Sequence, residues 1–394
     1  MDKQREADSR INWKFQKVEL IFWASIAIIF YVYIGYPLLL FVISRYSRPT
    51  RSAEAHTPSV SLVVAAYNEE KVLRDKIENS LALDYPKDQL EIVIASDGST
   101  DATNTIAESY AHKGIILHRV IPRGGKTAAL NTVIPKTKGE ILVLSDANTM
   151  YRPDAIRKLV RHFIDPTVGA VSGDVRLVDA APSHSDSEGL YYRYERCLQE
   201  LESRVGSIIG VDGGMYALAR THFRPPPDEI VIDDFVISMT VARLGYRVLY
   251  DPEAVAFEQG TLTGWEEFFR KVRIIAGGIQ ALKLGVGLPR LNQPFFLLGY
   301  LSHKLLRWLV PCLLLSILFS STALVWKPFY ALALGAQVVF YFAALHYGLN
   351  TIQLQQPRFS GIAYYFSLVN GAALIGIWKG LRGTQRVTWQ RTTR

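Results

Sequence analysis

The sequence predicts an α/β domain with a mostly parallel sheet, carried on transmembrane helices at its N- and C-terminal ends. Three observations predict it. Strand-like and helix-like segments alternate between residues 59 and 283; residues 20–43 are apolar without one charged side chain; and apolar runs recur near 308–325, 329–349 and 361–378.

Of the 394 residues 49% are hydrophobic, and they are concentrated in those runs rather than spread evenly. The net charge of +8 and pI near 9.3 suit anionic lipid headgroups and phosphate-bearing substrates. Nucleic acid is excluded as a partner, because the basic residues flank apolar segments and form no surface interleaved with aromatics. The two cysteines, Cys197 and Cys312, belong to no CxxC or Cys/His cluster, so neither a disulfide framework nor a structural zinc is expected.

Residues 1–19 form an N-terminal segment, and residues 20–43 a transmembrane helix about 36 Å long at ~1.5 Å per residue. A signal peptide would have a far shorter apolar region and a small-residue cleavage site, which is missing here. Arg45, Arg48 and Arg51 follow in the linker 44–58 as cytoplasmic flanks should, although Lys14 and Lys17 precede the span.

Within 59–283 the strand candidates are SVSLVVAA, LEIVIAS, IILHRV, EILVLSD, VGAVSGDV, GMYALA and YRVLYD. Helical patterns intervene, among them EEKVLRDKIENSLAL, TDATNTIAESYAHK and PDAIRKLVRHF. Parallel α/β sheets bind ligands beyond the carboxyl ends of their strands, and both Asp97 and Asp146 sit at such ends.

Beyond the domain, His303, Lys304 and Arg307 stand at helical spacing among leucines. Burying Lys304 and Arg307 at mid-bilayer costs about 2.5–3.5 kcal/mol each, so 284–307 reads as an interfacial amphipathic segment. Residues 308–378 then hold about three transmembrane helices, with Trp326, Trp378 and Trp389 near their ends, and 379–394 form a basic tail. Three crossings would leave that tail outside, against the positive-inside tendency, so the side of the tail stays open.

The polar residues at the strand ends carry the chemistry. Tyr67-Asn68-Glu69 offers a ring and hydrogen-bonding groups to a nucleobase, and Asp97 an acceptor for a base or ribose, although a DGST turn also serves as a plain helix N-cap. In RGGKTAALN the Gly124 and Gly125 amides and Lys126 open a helix and can meet a phosphate. With Val120 where a P-loop needs glycine, this is no Walker A motif. Asp146 and Asn148, two apart in an extended segment, are oxygen ligands suited to Mg²⁺ or Mn²⁺. Asp233 and Asp234 open a helix, and Arg270, Lys271 and Arg273 follow the aromatic patch 265–269 as cations for a diphosphate.

In this order, AAYNE, SDGST, GGKTAALN, SDAN, VDGGMYALAR, IDDF and RKVRI resemble the motifs of the membrane-bound family 2 glycosyltransferases, the group of cellulose, hyaluronan and poly-N-acetylglucosamine synthases. The resemblance covers nearly the whole chain. It implies a GT-A catalytic domain, Rossmann-like, at 59–283, and inverting transfer from a nucleotide-sugar donor, a UDP-sugar being favoured. By the same resemblance Tyr67, Glu69, Asp97, Lys126, Asp146 and Arg273 bind the donor, and Asp146 with Asn148 holds Mg²⁺ or Mn²⁺. Asp234 is the catalytic base, and Gly213, Gly214, Asp233 and Arg270 frame the acceptor, a carbohydrate or a lipid-linked one.

An aspartate of ordinary pKa, about 3.9, is already ionised at neutral pH, so Asp234 needs no tuning to act as a base. Nucleotide sugars are made in the cytosol, which implies an integral protein of the cell (inner) membrane, among its lipids, with the catalytic domain cytoplasmic. Two departures from the family pattern stand out: Asn148 replaces a second aspartate, and Ile274 stands where polymerising relatives carry the Trp of QxxRW. Single addition to a lipid is therefore the alternative to processive synthesis. A silent nucleotide-sugar-binding membrane subunit is the alternative of another class.

Overall fold

The computed structural model describes residues 2–47, 51–178, 185–259, 263–350 and 358–388. Eight strands form one sheet: β1 (Val60–Ala66), β2 (Leu90–Asp97), β3 (Ile115–Val120), β4 (Ile141–Asp146), β5 (Met150–Tyr151), β6 (Val168–Val178), β7 (Met215–Ala219) and β8 (Arg247–Gln259), in the order β3-β2-β1-β4-β7-β6-β8-β5. β1 to β4 pair in parallel and β6 pairs β8 in parallel, while β7 runs antiparallel to both neighbours. All seven expected strands form; β5, two residues long, has no recognisable pattern of its own.

Every residue of β1 is buried, as a central strand covered on both faces requires. One core contains Val63, Leu142 and Tyr216, and a second contains Leu62, Val143 and Met215, so alternate residues serve opposite faces of the sheet. The register sets Ala65 beside Asp146 and Asp97 beside Val120, gathering the polar strand ends at one edge.

Among the described residues four helices are long and apolar enough to cross a membrane: Trp13–Ser44, Pro294–Ala323, Pro328–Leu349 and Phe359–Arg382. The second is helical without a break across the boundary expected at residue 307, and a π-helical turn at Tyr300–Leu305 includes its His303 and Lys304. The charges there meet partners on the helix Ser185–Val205. His303 Nδ1 lies 2.8 Å from Glu202 Oε1 and Nε2 lies 3.2 Å from Glu195 Oε2, while Arg307 pairs with Glu195. Tyr36, on the first apolar helix, donates to Glu202 Oε1 at 2.8 Å. These bonds fasten two of the apolar helices to the α/β domain and offset the burial of the charges.

The last helix lies side by side with Gly264–Leu284. A side chain built on Gly264 would meet Tyr364, one on Gly376 would come within 2.9 Å of Ile275 Cβ, and one on Gly380 within 2.6 Å of Ile279 Cβ. Chain direction is the same in both, so the helix follows the domain along its length. Trp389 and the rest of the tail from 389 lie outside the described residues.

Candidate active site

Asp97 ends β2 and is fully buried, with both oxygens occupied. Gly124 N donates to Oδ1 at 2.8 Å and Gly125 N to Oδ2 at 2.9 Å. The amides expected to meet a phosphate are therefore bonded to this carboxylate, which fixes the loop ahead of the helix Lys126–Val133. Gly125 has φ +96°, a conformation that favours glycine. Neither Asp97 nor Tyr67 lines the central cavity; Tyr67 instead stacks under Arg123, whose guanidinium carbon is 3.4 Å from the ring centre. Ser99 and Thr100 of the DGST turn hold the Asn68 loop, Thr100 N donating to Asn68 Oδ1 at 2.8 Å.

The Gly-Lys loop delivers Lys126 into an acidic cluster. Its Nζ is 2.6 Å from Asp146 Oδ1, 3.7 Å from Asp233 Oδ2 and 3.5 Å from the Gly213 carbonyl. Burial alone would lower the pKa of this ammonium, but Asp146, Asp233 and Asp234 outweigh it and raise it. Asp233 thus faces Lys126 from the cavity wall, its Oδ2 without a hydrogen-bond partner.

Asp234, half-buried in the cavity wall, is raised to about 6, first by burial and then by its neighbour Asp233. An ordinary carboxylate was expected here; a seat inside the protein beside a second acid changes that. A side chain on Gly213 would come within 2.9 Å of Asp234 Oδ2, so glycine at this position keeps the carboxylate accessible.

Asn148 lies in a turn after β4, not in an extended strand, yet it still lines the cavity with Asp146. Its Nδ2 donates to Glu258 Oε1 at 2.7 Å, which leaves the amide oxygen for a cation. Among the described residues no three His, Cys, Asp or Glu side chains group to hold a metal by themselves. The donor set here, one carboxylate and one amide oxygen, fits a hard divalent ion that takes its remaining oxygens from a diphosphate and water.

The basic helix divides its roles. Arg270 Nε is 2.7 Å and Lys271 Nζ 3.4 Å from Glu267, so one carboxylate is shared by two cations and the trio keeps a net positive charge. Burial works against the Glu267 carboxylate, but Lys271 and Arg270 prevail and pull it to about 2. Arg273 donates one bond to the Val231 carbonyl, and its buried Nε has no hydrogen-bond partner. That orphaned donor, in a residue lining the cavity, suits an anion.

One cavity of about 1490 Å³ takes in Glu69, Lys126, Asp146, Asn148, Gly213, Gly214, Asp233, Asp234, Arg270 and Arg273. Two features of its wall escaped the sequence reading. Asp212 is open to the cavity yet enclosed by protein, and burial, with Glu258 and Asp234 nearby, raises it to about 7. Its signal was an acid directly before a glycine pair. Thr384, Gln385, Arg386 and Thr388 also line the cavity, and Val387 packs against Gly125. Residues 384–388 therefore lie beside the cavity's carboxylates, and no local pattern announces this.

Residues 61–220 match glycosyl transferase family 2, and residues 141–346 match glycosyl transferase family group 2. The chain is 28% identical over 244 residues to the probable glycosyltransferase YdaM of Bacillus subtilis, covering 58% of this chain and 56% of that protein. It is 27% identical over 243 residues to beta-monoglucosyldiacylglycerol synthase of Synechocystis (59% and 51%). Over 239 residues it is 25% identical to poly-beta-1,6-N-acetyl-D-glucosamine synthase of Staphylococcus epidermidis (59% and 57%). The chain spans about half the length of these curated relatives. A mannosyltransferase from Pyrobaculum calidifontis, solved with GDP-Man and Mn²⁺, shares the fold at a TM-score of 0.71 and 24% identity, over 92% of this chain and 99% of that one. With one family match spanning more than half of its length, the chain belongs to the family 2 glycosyltransferases, with the GT-A fold.

Proposed function

We propose that the protein transfers a sugar, with inversion, from a nucleotide-diphosphate sugar to a hydroxyl of a lipid-linked acceptor at the membrane surface, with its catalytic domain in the cytoplasm of the cell. One observation carries the reading: the cavity that contains Lys126, Asp146 and Asp234 is also lined by Tyr33, Trp308 and Phe366, from three of the four apolar helices. A donor reaches it from the loops and a lipid from between the helices.

Asp234 takes the proton of the acceptor hydroxyl as its oxygen attacks the anomeric carbon, and the bond to the diphosphate breaks on the opposite face. Negative charge then grows on the leaving diphosphate, where Arg273 Nε is an unused donor and Lys126 supplies the cation next to Asp146. Asp146 and the Asn148 amide oxygen would hold a divalent ion, which supplies further neutralisation of the phosphates. Tyr67 and Arg123 offer a stacked face beside the Gly124–Gly125 loop for a nucleobase, and Asp97 fixes that loop rather than contacting the donor.

Purified protein in lipid, screened against nucleotide sugars with Mn²⁺, is expected to label a lipid product. Asp234→Asn is expected to lower turnover about 10²-fold or more with donor binding nearly intact. Label found only in long water-soluble polymer would favour processive synthesis, and donor left untouched by every nucleotide sugar would reject the enzyme reading.

A further inference from the structure

Behind the acidic turn that follows β4 lies a lysine the chemistry above does not use. Lys76, on the helix Leu73–Leu81, is 0% exposed. Its Nζ donates to the Thr149 carbonyl at 2.5 Å and sits 3.9 Å from the centre of the Tyr151 ring. One turn further along the same helix, Asn79 holds the Tyr151 peptide from both sides: Nδ2 donates to its carbonyl and Oδ1 accepts from its amide, each at 2.8 Å.

No carboxylate forms an ion pair with Lys76 among the described residues. Burial draws the ammonium down to about 7, and the charge opposing that shift is Asp146. An apolar side chain of similar length would be cheaper to enclose, since a buried ammonium with only a carbonyl and a ring for company is costly. What the lysine provides instead is a tie to the carbonyl of Thr149, the residue directly after Asn148. Residues 149–151 are otherwise held at Tyr151, by Asn79 and by its hydroxyl on the Gly214 carbonyl at 3.3 Å, and by the two-residue pairing of β5 with Phe257 and Ala256, so Lys76 is the side chain that fastens Thr149 itself.

We infer that Lys76 is a positioning residue: through the Thr149 carbonyl it holds the turn that presents Asp146 and Asn148 to the cavity. The inference rests on the reading of those two residues as oxygens for a divalent ion and the donor phosphates. A sub-ångström drift of such a turn misplaces both oxygens together, so the expected loss is in cation and donor binding rather than in the proton transfer at Asp234.

The test is Lys76→Met in the full chain, in lipid or detergent, with three readouts. Hydrogen exchange without metal is expected to quicken at residues 149–151 and not across the sheet. The Kd for Mn²⁺ in the presence of UDP is expected to rise about 10-fold or more, with Tm within a few degrees of the parent. Exchange and Kd both unchanged would overturn the inference, and so would a fall in Tm with Kd unchanged, which marks an ordinary core residue. Should the variant not fold, Asn79→Leu loosens the same segment and is judged by the same outcomes. A parent protein that binds no Mn²⁺ defeats the metal reading, and exchange at 149–151 alone then decides whether Lys76 holds the turn.

Discussion

Lys126 Nζ stands 2.6 Å from Asp146 Oδ1, a contact that joins the glycine loop after β3 to the end of β4. The same ammonium is the main cation among Asp146, Asp233 and Asp234, and it lowers the pKa of Asp234. Removing it in Lys126→Met is expected to cut turnover at neutral pH about 10²-fold or more. The acid limb of the pH profile should also move upward, because Asp234 loses the charge that favoured ionisation. A profile with an unmoved limb would separate Lys126 from the base.

Asp234 itself sets a second expectation. With its pKa raised to about 6, mainly by burial and by Asp233, the proposed base is protonated below that pH and ionised above it. Turnover should rise with pH through about 6 and level off by neutrality. The residual activity of Asp234→Asn should lack this limb, as measured by initial rates between pH 5 and 8.

Tail residues 384–388 share the cavity with Asp146, Asp233 and Asp234. In sealed vesicles, a cysteine at Thr388 in a background lacking Cys197 and Cys312 is expected to react with a membrane-impermeant reagent from the same side as a cysteine on the surface of the α/β domain. Labelling from opposite sides would overturn the arrangement of the last helix.

Gly380 allows that helix to approach Gly264–Leu284, since a Cβ there would come within 2.6 Å of Ile279 Cβ and 2.8 Å of the Ala276 carbonyl. Gly380→Val forces backbone apart at a buried contact. Its Tm is expected to fall by several degrees, consistent with the ~1–3 kcal/mol typical of overpacking.

Tyr36 donates to Glu202, whose other oxygen accepts from the Ile209 amide at 3.2 Å. Tyr36→Phe is expected to lower stability by about 1–2 kcal/mol, read as a lower Tm in detergent with turnover little changed.

Legibility in the sequence followed local physics. β1, β2 and β4 were plain because strands covered on both faces are continuous apolar runs, and Asp146 was plain because it ends one. Lys76 could have been found: Leu73, Lys76, Ile77 and Ser80 fall on one helical face, and all four are buried. Its neighbours Arg74, Asp75 and Glu78 are charged, which masks that face in the sequence. The bonds from the Gly124 and Gly125 amides to Asp97 were not legible, since nothing local ties its oxygens to amides 27 and 28 residues later.

By itself the sequence determined the α/β alternation, the apolar helices and the set of acids and cations, because patterning and side-chain chemistry are properties of short stretches. Only the tertiary structure decided which of those charges neutralise one another. Lys126 meets Asp146 and Asp233, and His303 and Arg307 meet Glu195 and Glu202, across distances in sequence that no local pattern spans, whereas Arg270 and Glu267, three apart on one helix, are a local pair. A buried charge is costly away from a partner, which is what these pairs offset, and among the described residues the cavity wall keeps Asp234 outside any ion pair and the Arg273 Nε without a hydrogen-bond partner.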